Sequence, residues 1–131
     1  MSAFQPFCAN ICLHVKGRIA EEDALRQEGT AREILERLAT QPGVVLADEV
    51  GMGKTFVALA VAVSVALANR GKRPAVVMVP SSLKEKWPAD FALFREKCLP
   101  DRFRERVQGE QAERAVEFLS SWTTRRSGAS P

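Results

Sequence analysis

The order of apolar and polar positions predicts an alternation of short buried strands and helices. Ala31, Ile34, Leu35 and Leu38 recur at the spacing of one helical face. Thr30-Ala31-Arg32-Glu33 has capping-box spacing, in which hydroxyl and carboxylate satisfy the free amides of a helix start, so a helix is expected to begin there. Gln41-Pro42-Gly43 stops it. Val44 to Ala47 is a short continuous apolar run, as in a strand covered on both faces. From about Lys54 to Asn69 the pattern is helical and apolar nearly all round, which predicts a helix packed between layers and closed by Gly71. Pro74 then precedes a second strand-like run, Ala75 to Val79, closed by Pro80. Ser82-Leu83-Lys84-Glu85 repeats the capping-box spacing and predicts a helix from near Leu83, kinked or restarted where Pro88 removes a backbone donor.

Strand, loop, helix, strand, loop, helix is the order of an α/β fold, a parallel sheet joined by right-handed crossovers with helices flanking it. Outside this stretch the pattern weakens. Within residues 1–20, CANICLHVKG fits a short strand or a loose approach segment equally. Arg102, Arg104 and Arg106 alternate with Phe103, Glu105 and Val107, as on the exposed face of a strand. Glu110 to Trp122 fits one more amphipathic helix with Ala112, Ala115, Val116 and Leu119 inward, and TTRRSGASP reads as a frayed tail. The expected organisation is an N-terminal segment at 1–20, a partial lobe at 21–108, and a helix with tail at 109–131.

Composition narrows this little. With 131 residues the chain holds one domain at most, 46% hydrophobic and 27% charged, at a formal net charge of +3. That balance permits a polyanionic partner without arguing for one. Three cysteines, Cys8, Cys12 and Cys98, form no evident disulfide framework and point to a reducing compartment. Phe56 to Ala68 is the most apolar run, shorter than the ~20 residues of a membrane span. MSAFQPFCAN lacks the order of a signal peptide, so a cytoplasmic location is expected. Cys8, Cys12 and His14 are spaced C-x₃-C-x-H, not a common closed zinc spacing, and a fourth ligand is not evident.

The chemistry lies in VVLADEVGMGKTFVALAVAV. Against G-x-x-x-x-G-K-[ST] it departs only at the first position, where Asp48 replaces glycine, while Gly53, Lys54 and Thr55 are in register. A triphosphate must be held by inward-pointing amides at a helix start, with no bulky side chain intruding. Gly51 and Gly53 suit that close approach. Lys54 would reach the β- and γ-phosphates, and the Thr55 hydroxyl would ligate Mg²⁺. The phosphate-binding loop therefore comprises Asp48, Glu49, Val50, Gly51, Met52, Gly53, Lys54 and Thr55.

LADEVGMGKT resembles motif I of superfamily-two helicases and translocases of the Snf-type branch, related to chromatin remodellers, where an acidic pair commonly stands at the place of Asp48 and Glu49. Two further stretches share the resemblance. In ALRQEGTAREIL, Gln27 matches the upstream glutamine that hydrogen-bonds adenine in that family, a task suited to an amide that both donates and accepts. VVMVPSSLKEKWPADF resembles motif Ia, whose loop touches the nucleic-acid backbone, which implies phosphate contacts for Ser81, Ser82, Lys84 and Lys86, with Trp87 a packing residue. The resemblance spans roughly Ala24 to Phe94 and implies a partial RecA-like P-loop NTPase domain, ATP with Mg²⁺ as ligands, and DNA as the parent enzyme's partner.

Hydrolysis needs more than this cradle: a second acid on Mg²⁺, a residue to orient water, and usually an arginine finger. After Pro80 no apolar run ends in paired acids, so the DE box is missing and the expectation is an ATP-binding, N-terminal portion of a Snf-type DNA-dependent ATPase with no appreciable turnover alone. The competing expectation is a stand-alone, non-catalytic module that holds nucleotide or a protein. A partly built sheet would also leave an exposed edge strand.

Overall fold

The computed structural model describes residues 10–47, 53–69 and 74–119. Their order is α1 (Glu21–Leu38), α2 (Lys54–Ala68), a short 3₁₀ turn (Ser81–Leu83), α3 (Lys86–Cys98) and α4 (Asp101–Arg104). Helix α2 packs against α1 and against α3, so the centre of the molecule is a helix with helices as its neighbours.

The first helix begins nine or ten residues before the expected start at Thr30. Glu21, Glu22 and Asp23 place carboxylates in its first turn, against the partial positive charge of the free amides there. Ala24, Gln27, Ala31 and Leu35 form its buried stripe. Thr30 therefore sits mid-helix, where the amides already have i−4 partners, and its hydroxyl donates instead to the Arg26 carbonyl at 3.0 Å. Glu28–Arg32 at 2.9 Å and Glu33–Arg37 are i,i+4 pairs along the outer side.

Helix α2 matches its expected bounds, with Asn69 as the C-cap. Every residue in it is at least half-buried, as an all-round apolar helix requires. Ser64, its polar interruption, donates to the Ala60 carbonyl at 2.7 Å and so enters the core satisfied. The core joins Ala31 and Leu35 of α1 to Phe56, Val57, Leu59, Ala60 and Val63 of α2 and to Phe94 and Cys98 of α3. Phe56 and Phe94 meet with ring centroids 6.2 Å apart and planes tilted by 43°.

The N-terminal segment closes one side of this core. Ile11, Leu13 and Val15 are buried and alternate with exposed Cys12, His14 and Lys16. The Cys12 amide donates to the Cys98 carbonyl at 3.0 Å, and the chain then turns between Val15 and Ile19 through Gly17 at φ +79°.

The expected parallel sheet is not formed: among the described residues there is no strand ladder, only an isolated antiparallel bridge between Val15 and Ile19. Residues 44–47 and 74–80 are non-helical, but among the described residues neither run forms a strand ladder. Val45 is 89% exposed and Met78 92%, so these runs are not covered on both faces. An apolar strand is stabilised by a neighbour ~4.8 Å away and by layers over its faces. Two short strands alone gain too little to hold a register, whereas the apolar faces of the helices satisfy one another.

The second capping box gives only the 3₁₀ turn, with the Leu83 amide on the Pro80 carbonyl at 2.9 Å, and α3 starts at Lys86. Pro88 falls in its first turn, where amides lack helical partners, so its missing N–H costs no helical bond. The alternation from Arg102 to Val107 does not make a strand. Pro100 ends α3 and Asp101 starts α4, whose Phe103 is half-buried beneath the Arg102 and Arg106 guanidinium groups at 4.9 and 5.7 Å. Arg95 donates to the Arg104 carbonyl at 2.7 and 2.9 Å and Arg104 returns to the Arg95 carbonyl at 3.1 Å, clamping α4 to α3. Of the expected helix from Glu110 to Trp122, residues 115–119 are helical and 110–114 are not; Ala112, Ala115, Val116 and Leu119 are all exposed, so the expected inner face points to solvent, and residues 120–131 lie outside the described residues. Among the described residues no helix is long and apolar enough to cross a membrane.

Candidate functional site

Three parts of the sequence meet at the N-terminus of α2. The first is the end of the glycine-rich loop. Asp48, Glu49, Val50, Gly51 and Met52 lie outside the described residues. Gly53 is the N-cap of α2 at φ +80°, ψ +27°, a left-handed conformation that glycine adopts without strain. Lys54 and Thr55 follow as the first two helical residues, half-buried, at the end of the helix where amides are free and the dipole is positive.

The second part is Gln27. It lies on the buried stripe of α1 at 4% exposure, and its side chain rests on the backbone of Gly53. A Cβ built at residue 53 would lie 2.0 Å from Gln27 Nε2 and 2.8 Å from its Cδ, so both the turn and the glutamine demand glycine here. The Oε1 atom of Gln27 is buried and has no hydrogen-bond partner among the described residues. A buried acceptor of this kind costs about 1–3 kcal/mol until a donor reaches it.

The third part begins at Lys86, the first residue of α3. Its ammonium donates to Asp90 Oδ2 at 2.6 Å, one turn along, and makes a longer bond of 3.4 Å to the hydroxyl of Thr55. Arg18 approaches the other oxygen of Asp90 at 4.0 Å. The carboxylate side chain is only 12% exposed, while Lys86 and Arg18 are 55% and 59% exposed. Asp90 is thus the fixed point, with two cationic arms drawn to it from solvent. Neither Asp90 nor its link to Thr55 stands out in the sequence. Its place four residues after Lys86 on a helix is the signal that pairs those two.

Of the other predicted contacts, Ser81 and Ser82 are exposed in the 3₁₀ turn and make no side-chain cap at it or at α3. Lys84 is exposed beside Glu113 at 3.7 Å, a surface pair of small energetic weight. Gln111 Nε2 donates to the Lys84 carbonyl at 3.2 Å, so residues beyond α4 fold back over this turn. Trp87 is half-buried against the core. These exposed groups lie on the chain segment that leads directly to Lys86, and so to Thr55.

Among the described residues Cys12 and Cys98 are both free. Cys98 is buried, and its carbonyl accepts the Cys12 backbone amide. Its burial pushes the thiol pKa up to about 12, with the neighbouring Cys12 adding to the rise, so Cys98 is a protonated core residue rather than a nucleophile. Among the described residues no group of three or more His, Cys, Asp or Glu side chains is arranged for a metal ion. Cys8 lies outside them. A surface hollow of about 360 Å³ lies elsewhere, over the Gly17 turn, lined by His14, Lys16 and Arg18 among others. The orphaned polar atom is at Gln27, not in that hollow, and the motif residues converge there as well.

Comparison with known proteins gives the same part of the chain. The SNF2-related domain matches residues 25–118. The chain is similar to RNA polymerase-associated protein RapA of Pseudomonas fluorescens and of Pseudomonas syringae pv. tomato, at 38% identity over 71 residues. That stretch is 54% of this chain and 7% of each relative, so the chain spans a small part of their length. No solved structure matches it.

Proposed function

The chain belongs to the SNF2-related domain family, and on that premise we propose that it is the ATP-binding portion of a DNA-stimulated, Snf-type ATPase. Gly53, Lys54 and Thr55, together with Asp48, Glu49, Val50, Gly51 and Met52 before them, form its phosphate-binding loop. The backbone amides at the start of α2 meet the phosphates, Lys54 supplies a positive charge to the β- and γ-phosphates, and Thr55 ligates Mg²⁺. The metal would neutralise the charge between phosphate oxygens. Gln27 takes the adenine edge, its Nε2 donating and its Oε1 accepting.

The observation that carries this reading is the contact between Gln27 and Gly53. Two residues far apart in sequence, each in its own stretch of the family resemblance, touch in the fold. The glutamine is buried with an acceptor oxygen unpartnered among the described residues, which is the chemistry that an adenine amino group would satisfy. Ser81, Ser82 and Lys84, exposed on the approach to α3, are proposed to meet nucleic-acid phosphates. The proposal is confined to nucleotide binding; hydrolysis would need a second acid on Mg²⁺ and an arginine finger besides these residues.

Titration of the chain with ATP in excess Mg²⁺, for wild type and Lys54→Ala, tests the reading. A lysine–phosphate bond contributes about 1.5–3 kcal/mol, so the variant should bind about ten- to a hundredfold more weakly. Equal affinities for the two proteins would overturn it.

A further inference from the structure

Lys86 is in an electrostatically awkward place. It is the first residue of α3, whose first turn carries no acidic residue, and its ammonium reaches Thr55 in the first turn of α2, which carries none either. A cation near the N-terminal end of a helix is disfavoured by the helix dipole, and here two such ends are close. What holds it there is Asp90, at 2.6 Å and nearly buried, itself shared with Arg18 at 4.0 Å. The Asp90 carboxylate therefore holds the ammonium against the dipoles of the two helix starts, and there it touches the hydroxyl to which a metal ion would bind.

We propose that Lys86 is a built-in stand-in for the divalent cation: its ammonium, positioned by Asp90, takes the metal's place at Thr55 whenever the bound nucleotide carries no metal. The inference rests on the nucleotide reading and specifies its metal dependence. With metal-free ATP, Lys86 provides a positive charge for the terminal phosphate, beside the one provided by Lys54. With Mg²⁺, the ion competes with the ammonium for the Thr55 oxygen, and Lys86 falls back on Asp90 alone. The wild-type site thereby gains less from magnesium than a site without this lysine.

The test is the ratio of ATP affinities with excess Mg²⁺ and with EDTA at matched ionic strength, measured on the 131-residue chain. Lys86→Met should weaken metal-free ATP binding about fivefold or more, on the scale of one unit charge removed from a partly solvated site. Binding with Mg²⁺ should stay unchanged or tighten, so the magnesium gain rises by at least that factor. Lys86→Arg, which keeps the charge, should return most of the wild-type ratio, and it separates loss of charge from any disturbance of α3. An unchanged ratio in Lys86→Met, or an equal loss with and without metal, would overturn the inference while leaving the nucleotide reading intact. If wild type binds ATP under neither condition, the nucleotide reading itself fails and this inference with it.

Discussion

Helix α2 and the two extended apolar runs are all strongly hydrophobic in sequence and end in opposite circumstances. Helix α2 has every residue at least half-buried between α1 and α3, whereas Val45, Val76, Val77 and Met78 stand exposed on segments that pair with nothing among the described residues. The difference is in where the backbone finds its partners. A helix closes its own hydrogen bonds within four residues and needs neighbours only for its apolar stripe. A strand has no partner until another chain segment lies alongside it. A strongly apolar segment thus becomes core in one case and surface in the other.

The contrast is broken most severely at Phe94. It is fully buried where α3 meets α2, against Phe56. Phe94→Ala removes the largest fully buried side chain among the described residues and should cost about 3–5 kcal/mol, a large part of the total stability of a domain this size. Urea denaturation followed by far-ultraviolet circular dichroism measures it. A loss below about 1 kcal/mol would mean that the helices do not share this core.

At Gly53 the expected effect is intermediate, because the residue belongs to the turn rather than to either region. Gly53→Ala places a side chain at φ +80° and against Gln27 Nε2. The left-handed backbone alone costs about 1–2 kcal/mol for a non-glycine residue. The collision adds to this unless Gln27 moves, so a total of about 1–3 kcal/mol is expected. Gln27→Ala made in the Gly53→Ala background removes the collision but not the backbone strain, and should recover only part of the loss. Full recovery would show that the turn is not strained, and no recovery that Gln27 does not lie against it.

This site shows what the sequence could disclose. Lys54 and Thr55 at a helix start, and Gly53 before them, followed from a local pattern whose physics is local: free amides, a dipole and a residue tolerant of positive φ. Gln27 was singled out only through the family resemblance, and its burial against Gly53 is a tertiary fact. The bounds of α2 were readable because its apolar run is long and stops sharply. Those of α1 were misplaced because Thr30 and Glu33 imitate a cap, while the acidic turn that starts the helix lies nine residues upstream. The Lys86–Asp90–Thr55 link was invisible because its energetics depend on a carboxylate that only the fold buries. The expected sheet was lost for the reason given above: strand-like composition names a preference, and pairing needs a partner that local pattern does not supply.

The smallest expected effect is the sharpest test of that last point. Val45→Ser and Met78→Ser change residues that are 89% and 92% exposed. If these runs lie unpaired on the surface, each substitution should alter stability by no more than about 0.5 kcal/mol. Together they should raise solubility, because exposed apolar segments with high strand propensity template association between molecules. Static light scattering across a concentration series reads the second effect, and urea midpoints read the first. A strand buried in a sheet would respond in the opposite way, losing about 1–3 kcal/mol at each polar substitution because a hydroxyl would enter the core without a partner. The sign of the solubility change and the size of the stability change therefore distinguish a surface run from a hidden strand, independently of anything that happens at Gly53 or Phe94.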